Sequence, residues 1–195
     1  MNSRARTVLL ALLLVSPLLA LPAQAADAPE SRFYAEFLAN AYAGSDEYSS
    51  QEAYLDFALN DHISLWANPY REPGYASATL GLAWTTGRWT FALGAGRNRY
   101  QGERANILAP WLGYASDDLE LALTVEHYDN GEPAFWQGFA QRRVGRHFIG
   151  AYGETDFGIG PAATFVVNDH VRVRLAVPVA GRGDAKAMAT VIVVP

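Results

Sequence analysis

One histidine of this chain stands among carboxylates at a spacing that suits acid–base chemistry. His127 lies in the segment EHYDN, between Glu126 and Asp129, so a carboxylate could hold or receive its proton. The motif contains no serine, so a polar strand end is the other interpretation. A second histidine, His62, directly follows Asp61 at the end of the segment AYLDFALNDH.

Other common catalytic devices are missing from the sequence. It has no cysteine, which excludes thiolate catalysis, a disulfide scaffold and a lipoprotein anchor. It has no metal-ligand spacing, phosphate-binding loop or G-x-S-x-G motif, so neither a metal nor another cofactor is expected. Acidic residues outnumber basic ones by 20 to 15, and there is no basic stripe of the kind that would bind nucleic acid.

The N-terminus has the three regions of a secretory signal peptide. Arg4 and Arg6 precede an apolar run over residues 8–21, which is too short to span a membrane, and AQA at residues 23–25 fits a cleavage site. A buried N-terminal helix is the alternative interpretation. We therefore expect a signal peptide over residues 1–25 and a single exported domain over residues 26–195.

Residues 28–43 have the pattern of an amphipathic helix. Asp27 and Glu30 have the spacing of a capping box, and Gly44 would end the helix. Large apolar side chains recur at helical spacing between residues 33 and 42. The pattern predicts a helix that lies on a membrane surface or against the rest of the fold.

From about residue 52 the hydrophobic period changes to two. In RWTFALGAGRNRY, for example, Trp89, Phe91 and Leu93 alternate with small residues such as Thr90 and Gly94. Segments of about ten residues are long enough to cross a bilayer at a tilt. A merger near Asp156 would reduce the count by joining two segments. The expected strands are residues 52–62, 74–85, 88–98, 105–115, 118–128, 133–143, 146–156, 157–167, 170–179 and 185–194.

The connections between these segments alternate in length. Looser joins, residues 63–73 among them, separate short ones. Tight two-residue turns are predicted at Thr86-Gly87, Ser116-Asp117, Val144-Gly145 and Asn168-Asp169. Short turns at one end and longer loops at the other are typical of outer-membrane barrels. We therefore predict an all-β fold, an antiparallel transmembrane β-barrel in the outer membrane with an even number of strands, roughly eight to twelve.

A soluble lipocalin-like barrel would also have alternating strands. Its apolar face would turn inward, and its outer face would carry many Lys, Glu and Asp side chains. This chain has a single lysine, Lys186, and its candidate polar faces carry mostly Thr, Ser, Gly and Ala. These small residues suit a narrow interior better than a surface in water, which favours the membrane barrel.

The order of these elements resembles the PagP-type lipid A palmitoyltransferases. The resemblance rests on AYLDFALNDH, NPYREPGYASATLGLAW and RWTFALGAGRNRY, followed by IGPAATF and LAVPVAG. It implies a small outer-membrane barrel after an amphipathic helix, with a histidine near the first strand, here His62, and a Tyr-x-Glu motif, here Tyr70 and Glu72. It also implies prolines that loosen strand pairing and admit lipid tails from the side, here Pro73 and Pro161.

The resemblance implies an acyltransferase that moves a palmitoyl chain from a phospholipid donor to lipid A. We expect the protein to be a monomer. His62 would act as general base on the accepting hydroxyl, and a small, neutral interior would measure the acyl tail. The family's Asp-Ser pair is replaced here by Asn98-Arg99, so His62 needs another partner. The candidates are Asp61, Asp129, Ser45 and Ser49.

Two other functions stay open at this point. A lipid A deacylase would use His127 in HYDNG as its base. A non-enzymatic barrel, either a narrow channel or a structural protein, would hold charged side chains in its lumen. The candidates for that role are Glu120, Glu126, Glu154, Arg172 and Arg174.

Overall fold

The structure, a computed structural model, describes residues 33–44, 48–155, 157–179 and 185–194. These ranges form strands and turns, and no helix in them is long and apolar enough to cross a membrane. The expected signal peptide, residues 1–25, lies outside the described residues. The strands are β1 (Phe33–Gly44), β2 (Tyr48–Ala58), β3 (Ile63–Glu72), β4 (Tyr75–Thr86), β5 (Trp89–Tyr100), β6 (Glu103–Ala115), β7 (Leu119–Tyr128), β8 (Phe135–Val144), β9 (His147–Glu154), β10 (Gly158–Val166), β11 (Val171–Ala176) and β12 (Ala185–Val193).

These twelve strands form one closed barrel. Each strand pairs antiparallel with its neighbours in the chain, and β1 pairs with β12. Phe37 on β1, for example, lies opposite Val193 on one side and Ala53 on the other. The predicted all-β antiparallel barrel is confirmed, and its strand number is even and within the predicted range.

The helix predicted over residues 28–43 is wrong from Phe33 onward, because these residues form β1. Residues 28–32 lie outside the described part of the chain. The segment from Phe33 to Gly44 fits the period of a helix and also that of a strand. Glu36 and Asn40, for example, would share one face in either structure. The strand's inner face buries Asn40 and Tyr42. Its outer face is largely alanine, which weakens the hydrophobic contrast that marks a strand in sequence.

Residues 63–73, predicted as a loose join, mostly form β3 instead. Trp66, Asn68 and Tyr70 line the barrel interior, while Leu65 and Pro69 lie on the other face of the strand. Polar side chains on the inner face and a proline on the outer face conceal this alternation in the sequence. The pairing of β3 with β2 is interrupted at Pro69, which has no N–H to donate.

The predicted tight turns all lie at one end of the barrel, together with the connection between β2 and β3; we call it the turn end. The opposite end, the loop end, holds the remaining connections. Two of these are also tight, at residues 73–74 and 101–102, where Gln101 and Gly102 have φ angles of 48° and 98°. The predicted strand break near Asp156 is confirmed, because β9 ends at Glu154 and β10 begins at Gly158.

The outer wall of the barrel is apolar. In RWTFALGAGRNRY the side chains of Trp89, Phe91 and Leu93 are 41%, 47% and 57% exposed, as outward-facing positions require. The inner face of the same strand is small because other side chains fill the space beside it. A Cβ atom at Gly94 would lie 2.5 Å from the Trp66 ring. The outer wall is suited to lipid, and the glycines make room for aromatic side chains within the barrel.

We expect tryptophans on the two faces to respond differently to lipid. Trp84 is 53% exposed on the outer wall, whereas Trp66 is 3% exposed inside. Single-tryptophan variants, with the other tryptophans changed to Phe, are refolded into vesicles of brominated phosphatidylcholine. Fluorescence should be strongly quenched when Trp84 is retained and little quenched when Trp66 is retained. Equal quenching of both would contradict the assignment of faces.

Candidate functional site in the barrel lumen

The barrel encloses a cavity of about 900 Å³. Its lining includes Tyr34 and Glu120 near the turn end and Tyr100 and Glu132 near the loop end, so the cavity follows the barrel axis. Aromatic side chains narrow it on one side, where Tyr54 stacks on Trp66 with 6.3 Å between ring centroids and lies 5.9 Å from Trp111. The lumen is therefore a narrow, partly filled passage.

Carboxylates dominate the charge of this lining. Eight glutamates and three arginines contribute to it among the residues that the structure describes. The arginines are Arg104, Arg172 and Arg174, and the glutamates are Glu36, Glu52, Glu72, Glu103, Glu120, Glu126, Glu132 and Glu154. The five charged residues that the sequence assigned to a lumen all lie in this wall. The small, neutral interior expected for an acyl chain is not what the structure has.

Several of these carboxylates accept a hydrogen bond from a tyrosine two residues away. The Tyr34 hydroxyl donates to Glu36 over 2.9 Å, and Tyr70 donates to Glu72 over the same distance. In a strand, residues i and i+2 share a face, so the pair enters the lumen together. The remaining pairs are Tyr128 with Glu126 at 2.8 Å, Tyr152 with Glu154, and Tyr54 with Asp56 at 3.5 Å.

Glu154 has the most enclosed of these arrangements. It is 4% exposed and accepts hydrogen bonds from the hydroxyls of Tyr152 and Tyr42, the latter over 3.1 Å from across the barrel. Gln137 donates in turn to the Tyr152 hydroxyl over 2.8 Å. The Phe157 ring packs edge-on against the rings of both tyrosines. Glu154 is thereby fixed in one orientation at the loop end of the wall.

Arg174 supplies a buried positive charge to the lumen. It is 6% exposed, its Nε donates to Thr164 Oγ1 over 3.3 Å, and its guanidinium lies 4.6 Å from the centre of the Phe139 ring. Thr164 donates to Gln141 over 3.0 Å, and Gln141 donates to Glu120 over 2.8 Å. A polar chain therefore links β11, β10, β8 and β7 through side chains inside the barrel.

Gly150 makes this chain of hydrogen bonds possible. It takes the inward position on β9 beside Gln141, and a Cβ atom there would lie 2.0 Å from the Ala140 carbonyl oxygen. Because Gly150 has no side chain, the Gln141 side chain can pass over β9 and reach Thr164 on β10. The glycine therefore serves both the close approach of two strands and the continuity of the polar chain.

The structure places Asp61 and His62 in the turn between β2 and β3, at the turn end, where both are exposed. His62 Nδ1 lies 3.3 Å from the Thr85 carbonyl oxygen, and the His62 backbone N–H donates to Asn60 over 2.9 Å. These contacts order the turn. Neither residue lines the cavity.

His127 and Asp129 lie at the opposite end of the barrel from His62. His127 is exposed on the outer face of β7, opposite Leu108. Asp129 accepts a 2.8 Å hydrogen bond from the backbone N–H of Asn106, and with the Asn106 side chain this lowers the pKa of its carboxyl below the usual range. The structure therefore does not bring His62 together with Asp129 or His127.

The other residues implied by the resemblance are also dispersed. Pro73 lies in the turn between β3 and β4, and Pro161 lies on the outer face of β10, opposite Ala151. Ser49 is on β2 near the loop end, away from His62, and Ser45 lies outside the described residues. In the described ranges no group of three or more His, Cys, Asp or Glu side chains is arranged to hold a metal ion.

One sequence signal for the lumen was missed. Tyrosine and an acidic residue recur at a spacing of two on β1, β2, β3, β7 and β9, and each pair turns into the barrel. Of these pairs, only Tyr70 and Glu72 belong to the motif on which the family resemblance rests. The repetition of this spacing on several alternating segments would have predicted an acidic, tyrosine-lined interior.

A closed twelve-strand barrel with an apolar wall and a polar lumen is the architecture of outer-membrane barrels. Known solved structures include two of similar fold. One is outer membrane phospholipase A from Escherichia coli, with TM-score 0.51, 13% identity, and cover of 85% of this chain and 92% of that one. The other is the Salmonella typhi outer membrane phospholipase, a dimer with bound calcium, with TM-score 0.50, 13% identity, and cover of 92% and 95%.

These similarities establish the fold but do not assign the chain to a protein family. No family model matches the chain. No curated protein matches it either. The phospholipases resemble this chain as barrels, and the PagP-type resemblance remains a prediction from sequence.

Removal of the Arg174 charge should destabilise the barrel. An Arg174→Leu change removes the hydrogen bond to Thr164 and the cation–π contact with Phe139, which should lower the free energy of unfolding by about 2 kcal/mol. Urea unfolding in vesicles, followed by tryptophan fluorescence, measures the change. Arg174→Lys, which keeps the charge, should lose less. Arg142→Gln, on an exposed residue of β8, is the control and should change little; equal stability of all three variants would contradict this role.

Proposed function

We propose that the protein is an outer-membrane barrel that serves as a narrow channel for small cations. The proposal rests on the charge of the lumen. Eight glutamates and three arginines line a cavity that extends to both ends of the barrel. A low-dielectric wall concentrates the field of such charges, which raises the local concentration of cations and repels anions. The apolar outer wall supports a position within the bilayer.

The tyrosines of the lumen bear on which kind of cation it can bind. Each hydroxyl that donates to a carboxylate holds that carboxylate in a fixed orientation in the wall. Aromatic rings attract positive charge, and the Arg174 guanidinium lies 5.7 Å from the centroid of the Tyr152 ring. Carboxylates beside aromatic rings suit small organic ammonium ions as well as metal ions. The cation–π contact of Arg174 with the Phe139 ring is the same interaction within the protein.

Occupation of this lumen by an acyl chain is unfavourable. A hydrocarbon tail would remove water from the glutamates of the wall without offering them hydrogen bonds, and buried charges without partners are costly. Trp66 and Tyr54 also occupy the interior on one side. The lumen is therefore better matched to a hydrated or cationic solute.

Planar-bilayer recording of the purified chain in a KCl gradient tests this function. The reversal potential should indicate preference for K⁺ over Cl⁻. Glu36→Gln, Glu120→Gln and Glu132→Gln, combined in one variant, should reduce that preference several-fold because they remove lumen charge. Asp118→Asn, on an exposed turn residue, is the matched control and should leave it unchanged. Anion preference, or a selectivity that the triple variant leaves unaltered, would contradict the proposal.

A second candidate is a lipid-modifying enzyme, which is favoured by the similarity of the fold to phospholipase barrels that act on membrane lipids. In its finer form it transfers a palmitoyl chain from a phospholipid to lipid A. Barrel turns face the periplasm and loops the exterior. His127 and Asp129, at the loop end, would then be nearer to lipid A than His62 and Asp61. Pro73 and Pro161 would be the places where lipid tails enter.

Lipid A mass spectrometry separates the second candidate from the first. Expression of the chain should add one palmitoyl chain to lipid A, and His127→Ala or Asp129→Asn should remove that activity. His62→Ala tests the alternative base at the other end of the barrel. Loss of an acyl chain would indicate a deacylase. An unchanged lipid A spectrum, with the protein verified in the outer membrane, would exclude both enzymatic activities.

A further inference from the structure

A row of arginines crosses the outer wall of the barrel at the loop end. The register of β3 to β6 places Arg71 opposite Ala76, Ala76 opposite Arg99, and Arg99 opposite Arg104. Arg97 lies on the same face of β5, two residues before Arg99. All these arginines are exposed. We name Arg71, Arg97, Arg99 and Arg104 the outer arginine patch.

Arg71, Arg97 and Arg99 face away from the lumen, and Arg104 lies at its rim. Along β5 the patch alternates with Asn98 and Tyr100, and on β3 Arg71 is followed by Glu72; these three neighbours line the cavity. Successive side chains of a strand point to opposite faces of the sheet, so the arginines of these two strands point outward. Arg104 lies opposite Arg99 and shares its face. Apart from Arg104, which also borders the mouth of the cavity, the patch is therefore distinct from the acidic site.

The arrangement concentrates positive charge. Adjacent strands are about 4.8 Å apart, so the row from Arg71 to Arg104 spans about 14 Å. Arg99 and Arg104 are direct cross-strand neighbours, and like charges in this position destabilise a sheet. The nearby Asp129 accepts hydrogen bonds from Asn106. Four guanidinium groups thus lie on neighbouring strands of one wall, an arrangement that a bound anion would stabilise.

The wall below the patch is hydrocarbon. Four residues along the strands toward the turn end, about 13 Å from the arginine row, the outward positions are Leu80, Ala95 and Leu108. Two residues further on they are Leu82 and Leu93. Leu80, Leu82 and Leu93 are each more than half exposed. Positive charge at the loop end and apolar surface beneath it match the two parts of a phosphorylated lipid.

We propose that the outer arginine patch binds the phosphate groups of a phosphorylated lipid whose acyl chains lie along the leucines beneath it. Guanidinium groups bind phosphate oxygens through paired hydrogen bonds. The small side chain of Ala76 leaves room for a headgroup between Arg71 and Arg99. The proposal rests on the membrane position given under the proposed function and is independent of what the lumen carries.

Native mass spectrometry of the full chain in detergent tests the patch. Lipid A with two phosphates is titrated against the wild-type chain, the double variant Arg71→Gln with Arg99→Gln, and Arg142→Gln. Arg142 is the matched control, an exposed arginine on the outer face of β8 at the turn end. A parallel titration uses lipid A from which both phosphates have been removed. Heat-dependent migration in gels shows that each variant has folded.

The expected result is that the double variant binds lipid A about tenfold more weakly or worse, because it loses two charged hydrogen-bond donors. The control should bind like the wild type, and removal of the phosphates should weaken wild-type binding by a similar factor. Equal binding by the wild type and a folded double variant would overturn the proposal. Equal wild-type affinity for lipid A with and without phosphates would overturn it as well. Neither outcome depends on channel activity, so it leaves the proposed function to its own test.

Discussion

Closure of the sheet by the pairing of β1 with β12 is the constraint on which the rest of the structure depends. Within a bilayer a strand edge would expose N–H and C=O groups to hydrocarbon, at a cost of several kcal/mol for each unpaired group. Closing the barrel satisfies them and fixes which face of each strand is inside. The apolar outer wall and the charged lumen both follow from that two-residue alternation.

The alternation also produces two surfaces of opposite charge. Inside, acids and tyrosines two residues apart create an acidic lumen that Arg174 compensates only in part. Outside, the same register aligns arginines at the loop end above leucines. On β5 the two surfaces are one residue apart, with Asn98 lining the lumen and Arg99 on the outer wall. The thin wall of a barrel can therefore carry two different binding chemistries.

Much of the fold could be predicted from the sequence, because strands such as β4 and β5 alternate strongly between large and small side chains. β1 could not, since its alanine-rich outer face fits a helix and only pairing with β2 and β12 decides between the two. β3 was hidden by its polar inner face and Pro69. The alternation of side chains was enough to predict lumen residues such as Glu126. Contacts between distant strands across the lumen, such as that of Tyr42 with Glu154, depend on closure of the barrel and could not be predicted.

The sequence contains no cysteine, so an introduced thiol can report directly on the charge of the lumen. Thr124→Cys places a thiol in the cavity wall, and Leu123→Cys places one on the outer wall. A cationic methanethiosulfonate should modify the cysteine at position 124 much faster than an anionic one of similar size, and neither should modify position 123 in vesicles. Equal rates for the two reagents at position 124, or faster modification by the anion, would contradict the account.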